Sequence, residues 1–216
     1  MKEFIAKYKH AWVMLYVLIY LPWFFFLEKN VVRYDIVHVE LDDYIPFCEY
    51  FVIPYFLWFA YVVVAVLYFF FTNKDDYYRL CSFLFIGMTL SLAICTVWPN
   101  GHDLRPTELT RDNIFMDMVR GLWKTDTPTN VFPSIHVYNS IGVHIAVRNS
   151  EALKNRRGIR TVSFILMVSI CLATVFLKQH SVVDGLGAIA MSLFMYRMVY
   201  HPEHALNREK LKEQLS

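Results

Sequence analysis

Twenty-two consecutive residues, Tyr50 to Phe71, carry no charged side chain. As a helix they would measure about 33 Å, enough to cross the roughly 30 Å hydrocarbon core of a bilayer. In that medium every main-chain N–H and C=O must be paired within its own segment, so such a run folds as a spanning helix. Similar runs recur along the chain and predict six spans. Their approximate limits are Ala11–Leu27, Tyr50–Phe71, Leu80–Trp98, Pro133–Val147, Ile159–Leu177 and Ser181–Tyr200. The fourth is short and calls for local thinning, a tilted environment or extra helix beyond these limits. No repeat, low-complexity tract or linker divides the chain. The expected fold is therefore all-α: one polytopic membrane domain over residues 1–216.

The chain is 56% hydrophobic and 17% aromatic, and this apolar content sits in long runs rather than amphipathic stripes. A net charge of only +2 provides no argument for nucleic-acid binding. The cysteines Cys48, Cys81, Cys95 and Cys171 share no metal-ligand spacing and read as small buried hydrophobes. No small-residue cleavage site follows the first run, so it is read as a permanent span.

Lysine and arginine set the expected orientation. They gather at the N-terminus (Lys2, Lys7, Lys9), after the fourth span (Arg148, Lys154, Arg156, Arg157, Arg160) and in the C-terminal tail (Arg208, Lys210, Lys212). All three regions should be cytoplasmic, which agrees with an even number of spans. The loop from Pro99 to Phe132 and the starts of the fourth and sixth spans then meet at the outer face, and a cell membrane is the expected location. Two stretches, Val31 to Phe47 and Ile114 to Trp123, mix apolar and charged residues and read as interfacial helices of that face or as ordinary loop packing.

Two polar motifs stand at the mouths of apolar runs. One is Phe132-Pro133-Ser134-Ile135-His136, the other Lys178-Gln179-His180-Ser181-Val182-Val183-Asp184. Ionisable residues at such depths are costly unless they have partners or function. His180 and Asp184 are four apart and share a face if helical. A carboxylate there can bind one imidazole nitrogen and leave the other as a nucleophile. Pro133 and Ser134 read as a helix start, where free N–H groups favour phosphate. His136 beside that start can protonate a leaving oxygen. Arg105 follows a turn signal at Trp98-Pro99-Asn100-Gly101 and can fork onto phosphate. Lys178 is either a phosphate cation or a lysine anchoring a span end.

Together these motifs resemble the type 2 phosphatidic acid phosphatase superfamily, whose pattern is K-x6-R-P, then P-S-G-H, then S-R-x5-H-x3-D. Arg105-Pro106 matches the end of the first motif; Pro133, Ser134 and His136 match the second, with Ile135 in place of glycine; His180 and Asp184 match the third. The resemblance covers roughly Trp98 to Ala188. It implies that His180 forms a phosphohistidine, Asp184 supports it, His136 is the general acid, and Ser134 and Arg105 hold phosphate oxygens. Trp98 stands where the family has lysine, and Ala173 and Thr174 stand where it has serine and arginine. Lys178 is the candidate replacement for one of these cations. The form F-P-S-x-H with H-x-x-x-D is also similar to lipid headgroup transferases of the superfamily, such as inositol phosphorylceramide synthases.

The expectation is a membrane enzyme that cleaves a lipid phosphate or diphosphate at the outer face, with no cofactor and no metal required by the scheme. Headgroup transfer to a lipid alcohol is the first alternative. A transporter or scaffold on the same fold is the second. A metal site on His136, His180 and Asp184, a two-histidine, one-carboxylate set, is the third.

Overall fold

The computed structural model describes residues 8–108 and 111–201. Lys2, Lys7, Arg208, Lys210 and Lys212, which entered the orientation argument, lie outside the described residues. Within them the helices are α1 (Val17–Asn30, preceded by a 3-10 turn run Lys9–Tyr16), α2 (Glu40–Tyr44), α3 (Val52–Thr72), α4 (Lys74–Val97), α5 (Ile114–Thr125), α6 (Ile135–Asn149), α7 (Arg157–Phe176) and α8 (Val182–Tyr200). The strands β1 (Asp35–Ile36) and β2 (Asn100–Gly101) pair in parallel, Asp35 with Asn100 and Ile36 with Gly101.

Five of these segments are long and apolar enough to cross a membrane: Lys9–Asn30, Glu49–Thr72, Lys74–Val97, Arg157–Phe176 and Val182–Tyr200. Large apolar side chains on them face outward; Leu18 is 70% exposed, Val64 64% and Leu193 63%. Exposed greasy surface of this extent needs an apolar cover, and a bilayer supplies it. The fourth expected span, α6, has fifteen residues, about 22 Å of helix. It packs against α3, α4, α7 and α8, and most of its residues are buried.

Close approach holds α6 in place. The Tyr138 ring lies where a Cβ on Gly87 of α4 would come within 2.1 Å of it. Its hydroxyl donates to the Phe83 carbonyl at 2.7 Å. Helices surrounded by lipid gain little from apolar burial, so contacts of this kind carry much of the packing. One extended residue, Asn73, turns α3 into α4, and its side-chain oxygen caps α4 through the N–H groups of Asp75 and Asp76 at 2.9 and 3.1 Å.

The expected interfacial stretches take different forms. Val31 to Phe47 holds β1 and the five-residue α2. Ile114 to Trp123 is helical as α5, but Ile114 is exposed while Met116, Val119 and Leu122 are buried. Val119 and Leu122 pack against Val52, Tyr55, Ala173 and Leu177, so α5 covers the ends of α3 and α7.

Candidate active site

The turn between α7 and α8 is built from two capping devices in succession. At the end of α7, Gln179 N–H donates to the Thr174 carbonyl at 3.0 Å and Lys178 N–H to the Val175 carbonyl at 3.1 Å. This is a Schellman ending with Lys178 in the left-handed position, at φ 54°. At the start of α8, Ser181 Oγ accepts from Val183 N–H at 3.2 Å, and Asp184 Oδ2 accepts from Ser181 N–H at 3.0 Å. That is a capping box with Asp184 in the acidic role. His180 lies between the devices, outside either helix, with its N–H on the Thr174 carbonyl at 3.1 Å.

The expected pairing is therefore present, but not on one helical face. Asp184 Oδ2 reaches back from the first turn of α8 and takes His180 Nδ1 at 3.2 Å, on the same oxygen that receives Ser181 N–H. Asp184 Oδ1 is buried without a hydrogen-bond partner. With Nδ1–H on the carboxylate, His180 Nε2 carries a lone pair. It lies 3.4 Å from His136 Nδ1.

His136 comes from the start of α6. Ser134 caps this helix, accepting from Val137 N–H at 3.4 Å, and its own N–H donates to the Asp184 carbonyl at 3.2 Å. Two helix starts are thus joined at the site. The chain before α6 is held by Asn100 Oδ1, which accepts from Val131 and Phe132 N–H at 2.9 and 2.8 Å. From α3, Tyr55 and Trp58 flank the His136 ring, at centroid distances of 4.5 and 4.4 Å.

Arg105 reaches the site through Gln179. Its Nε and Nη2 donate to Gln179 Oε1 at 3.1 and 2.6 Å, Nη2 also to the Asp126 carbonyl at 2.8 Å, and Nη1 to the Trp123 carbonyl at 3.3 Å. Four of its five N–H groups are thereby engaged, leaving one on Nη1 rather than a fork. Gln179 Nε2 and Tyr55 Oη both donate to Asp126 Oδ2, at 3.3 and 2.9 Å. Burial lowers the Arg105 pKa, and Asp126 opposes that most strongly.

Lys178 departs from the expectation of a phosphate cation. Its ammonium donates to the backbone carbonyl of Asp42. The left-handed backbone at Lys178 sends the side chain there. Asp42 in turn grips the start of α8: its Oδ2 accepts from Ser181 Oγ at 2.6 Å and its Oδ1 from Val182 N–H at 2.8 Å. Burial lowers the Lys178 pKa, against the opposing charges of Asp42 and Asp43.

The positions where the resemblance expects other polar groups have packing roles. Trp98 donates through Nε1 to Asp35 at 2.6 Å, and Ala173 and Thr174 are buried. Sequence reasoning missed Asp42, Tyr55, Trp58, His102, Asp126 and Gln179. Only Gln179 stood inside a motif that had drawn attention; the rest carry no local signal. Among the described residues, no three His, Cys, Asp or Glu side chains are grouped to hold a metal ion. The chain matches no family model, no curated protein and no solved structure.

Proposed function

We propose that this chain is an integral membrane phosphatase that hydrolyses a lipid phosphate or diphosphate through a phosphohistidine on His180. The observation that carries the reading is the Asp184–His180–His136 line: a carboxylate on Nδ1 of one imidazole, and the second imidazole 3.4 Å from its Nε2. His180 Nε2 attacks phosphorus, and the bond from phosphorus to the leaving oxygen breaks. His136, protonated by the entering phosphate monoanion, gives that proton to the leaving oxygen. Asp184 stabilises the positive charge on His180. Water then attacks the phosphohistidine, His136 takes the water's proton, and inorganic phosphate leaves with His180 restored. The free N–H groups at the start of α6 and the remaining Arg105 N–H stabilise the transferring group.

In this reading α6 is a sixth, short span, and the site opens on the outer face of a cell membrane with both termini cytoplasmic. The arginines and lysine between Arg148 and Arg160 support that orientation. Membership of the type 2 phosphatidic acid phosphatase superfamily rests on the three motifs alone. Phosphate release by purified protein from polyprenyl diphosphate, phosphatidylglycerol phosphate and phosphatidic acid tests the reading; no release from any of them counts against it.

Transfer to a lipid alcohol is the second reading. It is favoured by the burial of both histidines, 7% exposed for His180 and 9% for His136, which limits access of water. Product analysis with and without a lipid alcohol separates the two: a phosphorylated lipid product formed only with the acceptor indicates transfer.

A further inference from the structure

A third histidine, His102, lies within electrostatic range of His180 and Arg105 and is used by neither motif. His102 follows β2, with its N–H on the Pro128 carbonyl at 2.9 Å. The residue is 2% exposed. Nδ1 accepts from Leu104 N–H at 3.3 Å, which assigns the ring proton to Nε2. Nε2 is buried and has no hydrogen-bond partner. The Gln179 backbone acts on the ring as a weak acceptor and favours its proton, yet it leaves Nε2 outside hydrogen-bond geometry. His180 and Arg105 are close enough for their charge to oppose a proton on His102, and burial opposes it more, holding its pKa down to about 3.

A transferring phosphoryl group has three non-bridging oxygens that need donors. The side chains best suited to supply them are largely occupied. Lys178 is on the Asp42 carbonyl, and Arg105 has four of its five N–H groups on protein acceptors. A buried N–H donor without a partner is costly, and such a group beside a reactive centre is explained by a ligand that completes it.

We propose that His102 is a further phosphate-binding residue, donating from Nε2–H to a non-bridging oxygen of the phosphoryl group bound between His180 and Arg105. The assignment rests on the phosphatase reading of the site. A neutral imidazole suits the task, because it donates without competing with His136 as an acid.

Orthovanadate inhibition and phosphate release test it on the full chain, with His102→Leu removing the donor and His102→Gln keeping one. The leucine variant should lose about 10²-fold in turnover and in vanadate affinity, the scale of one lost transition-state donor. The glutamine variant should recover most of both. Vanadate inhibition of a folded leucine variant at the wild-type concentration overturns the assignment. So does an unchanged His102 Nε2–H resonance on adding vanadate to 15N-histidine-labelled wild-type protein, a measurement that needs no variant to fold. If instead the wild-type protein releases no phosphate and binds no vanadate, the phosphatase reading itself fails.

Discussion

His180 Nε2 and His136 Nδ1 are 3.4 Å apart, with no room between them for a phosphoryl group. In the phosphatase reading, substrate entry must open this contact. Asp184 holds His180 from the other side, and the reversal fixes its backbone through Thr174. In that reading His136 is the ring that must move, against Tyr55 and Trp58.

That movement leads to a prediction about leaving groups. His136→Ala should cost most, about 10²-fold or more, on lipid phosphates that release an alkoxide. Nitrophenyl phosphate and diphosphates, which release weaker bases, should be partly spared. Rates on both substrate types decide it; an equal loss on both would make His136 a phosphate binder instead.

Asp42→Asn tests the clamp on α8. The carboxylate accepts from Ser181 Oγ, Val182 N–H and Val39 N–H. An amide turns one donor nitrogen toward a main-chain N–H, at a cost of about 1–3 kcal/mol. The variant should unfold at lower temperature and turn over at least about tenfold more slowly, since a misplaced nucleophile loses rate steeply. A melting temperature and rate equal to those of the wild type would show that Asp42 does not position His180.

Lys178→Gly separates two roles for this lysine. Glycine fits the left-handed position that ends α7 without steric cost. With the ammonium used by the Asp42 carbonyl, turnover and vanadate inhibition should stay within a few-fold of wild type. A loss near 10²-fold in both would restore Lys178 as a phosphate cation.

The state of His102 has a consequence for acid stability. Its folded pKa is lowered to about 3 by burial and by His180 and Arg105, whereas the unfolded chain takes up this proton at about 6.5. Between those values the unfolded state binds more protons, so stability rises with pH and is lost progressively as pH falls from about 6.5 toward 3. His102→Gln should flatten that slope in a pH series of thermal unfolding. An unaltered slope would mean that His102 does not differ between folded and unfolded chains.

Apolar runs made most of the helices legible: α3, α7 and α8 fall within two residues of the expected limits for their spans, whereas α1 and α4 each begin six residues from theirs. The motif around Ser134 also marked the start of α6 correctly. The course of the chain around His180 was not legible, because H-x-x-x-D reads equally as a helical face or as a residue ahead of a capping box. The partners of that loop come from far away: Asp42 meets Ser181 across 139 residues, and Tyr55 meets Asp126 across 71. Single-sequence spacing has no access to such contacts. The direction of the Lys178 side chain was not legible for a related reason. Its side-chain direction follows from a left-handed backbone at a position where glycine is usual, and nothing in its neighbours announced that.

The most direct test is to trap the phosphoenzyme. Purified protein mixed with a 32P-labelled lipid phosphate and quenched within a turnover should carry acid-labile, alkali-stable label on His180. The label should be absent from His180→Ala, and it should persist longer in His136→Ala, where water attack lacks its base. Turnover of the labelled lipid with no protein-bound phosphate, or label on a residue other than His180, would contradict the account.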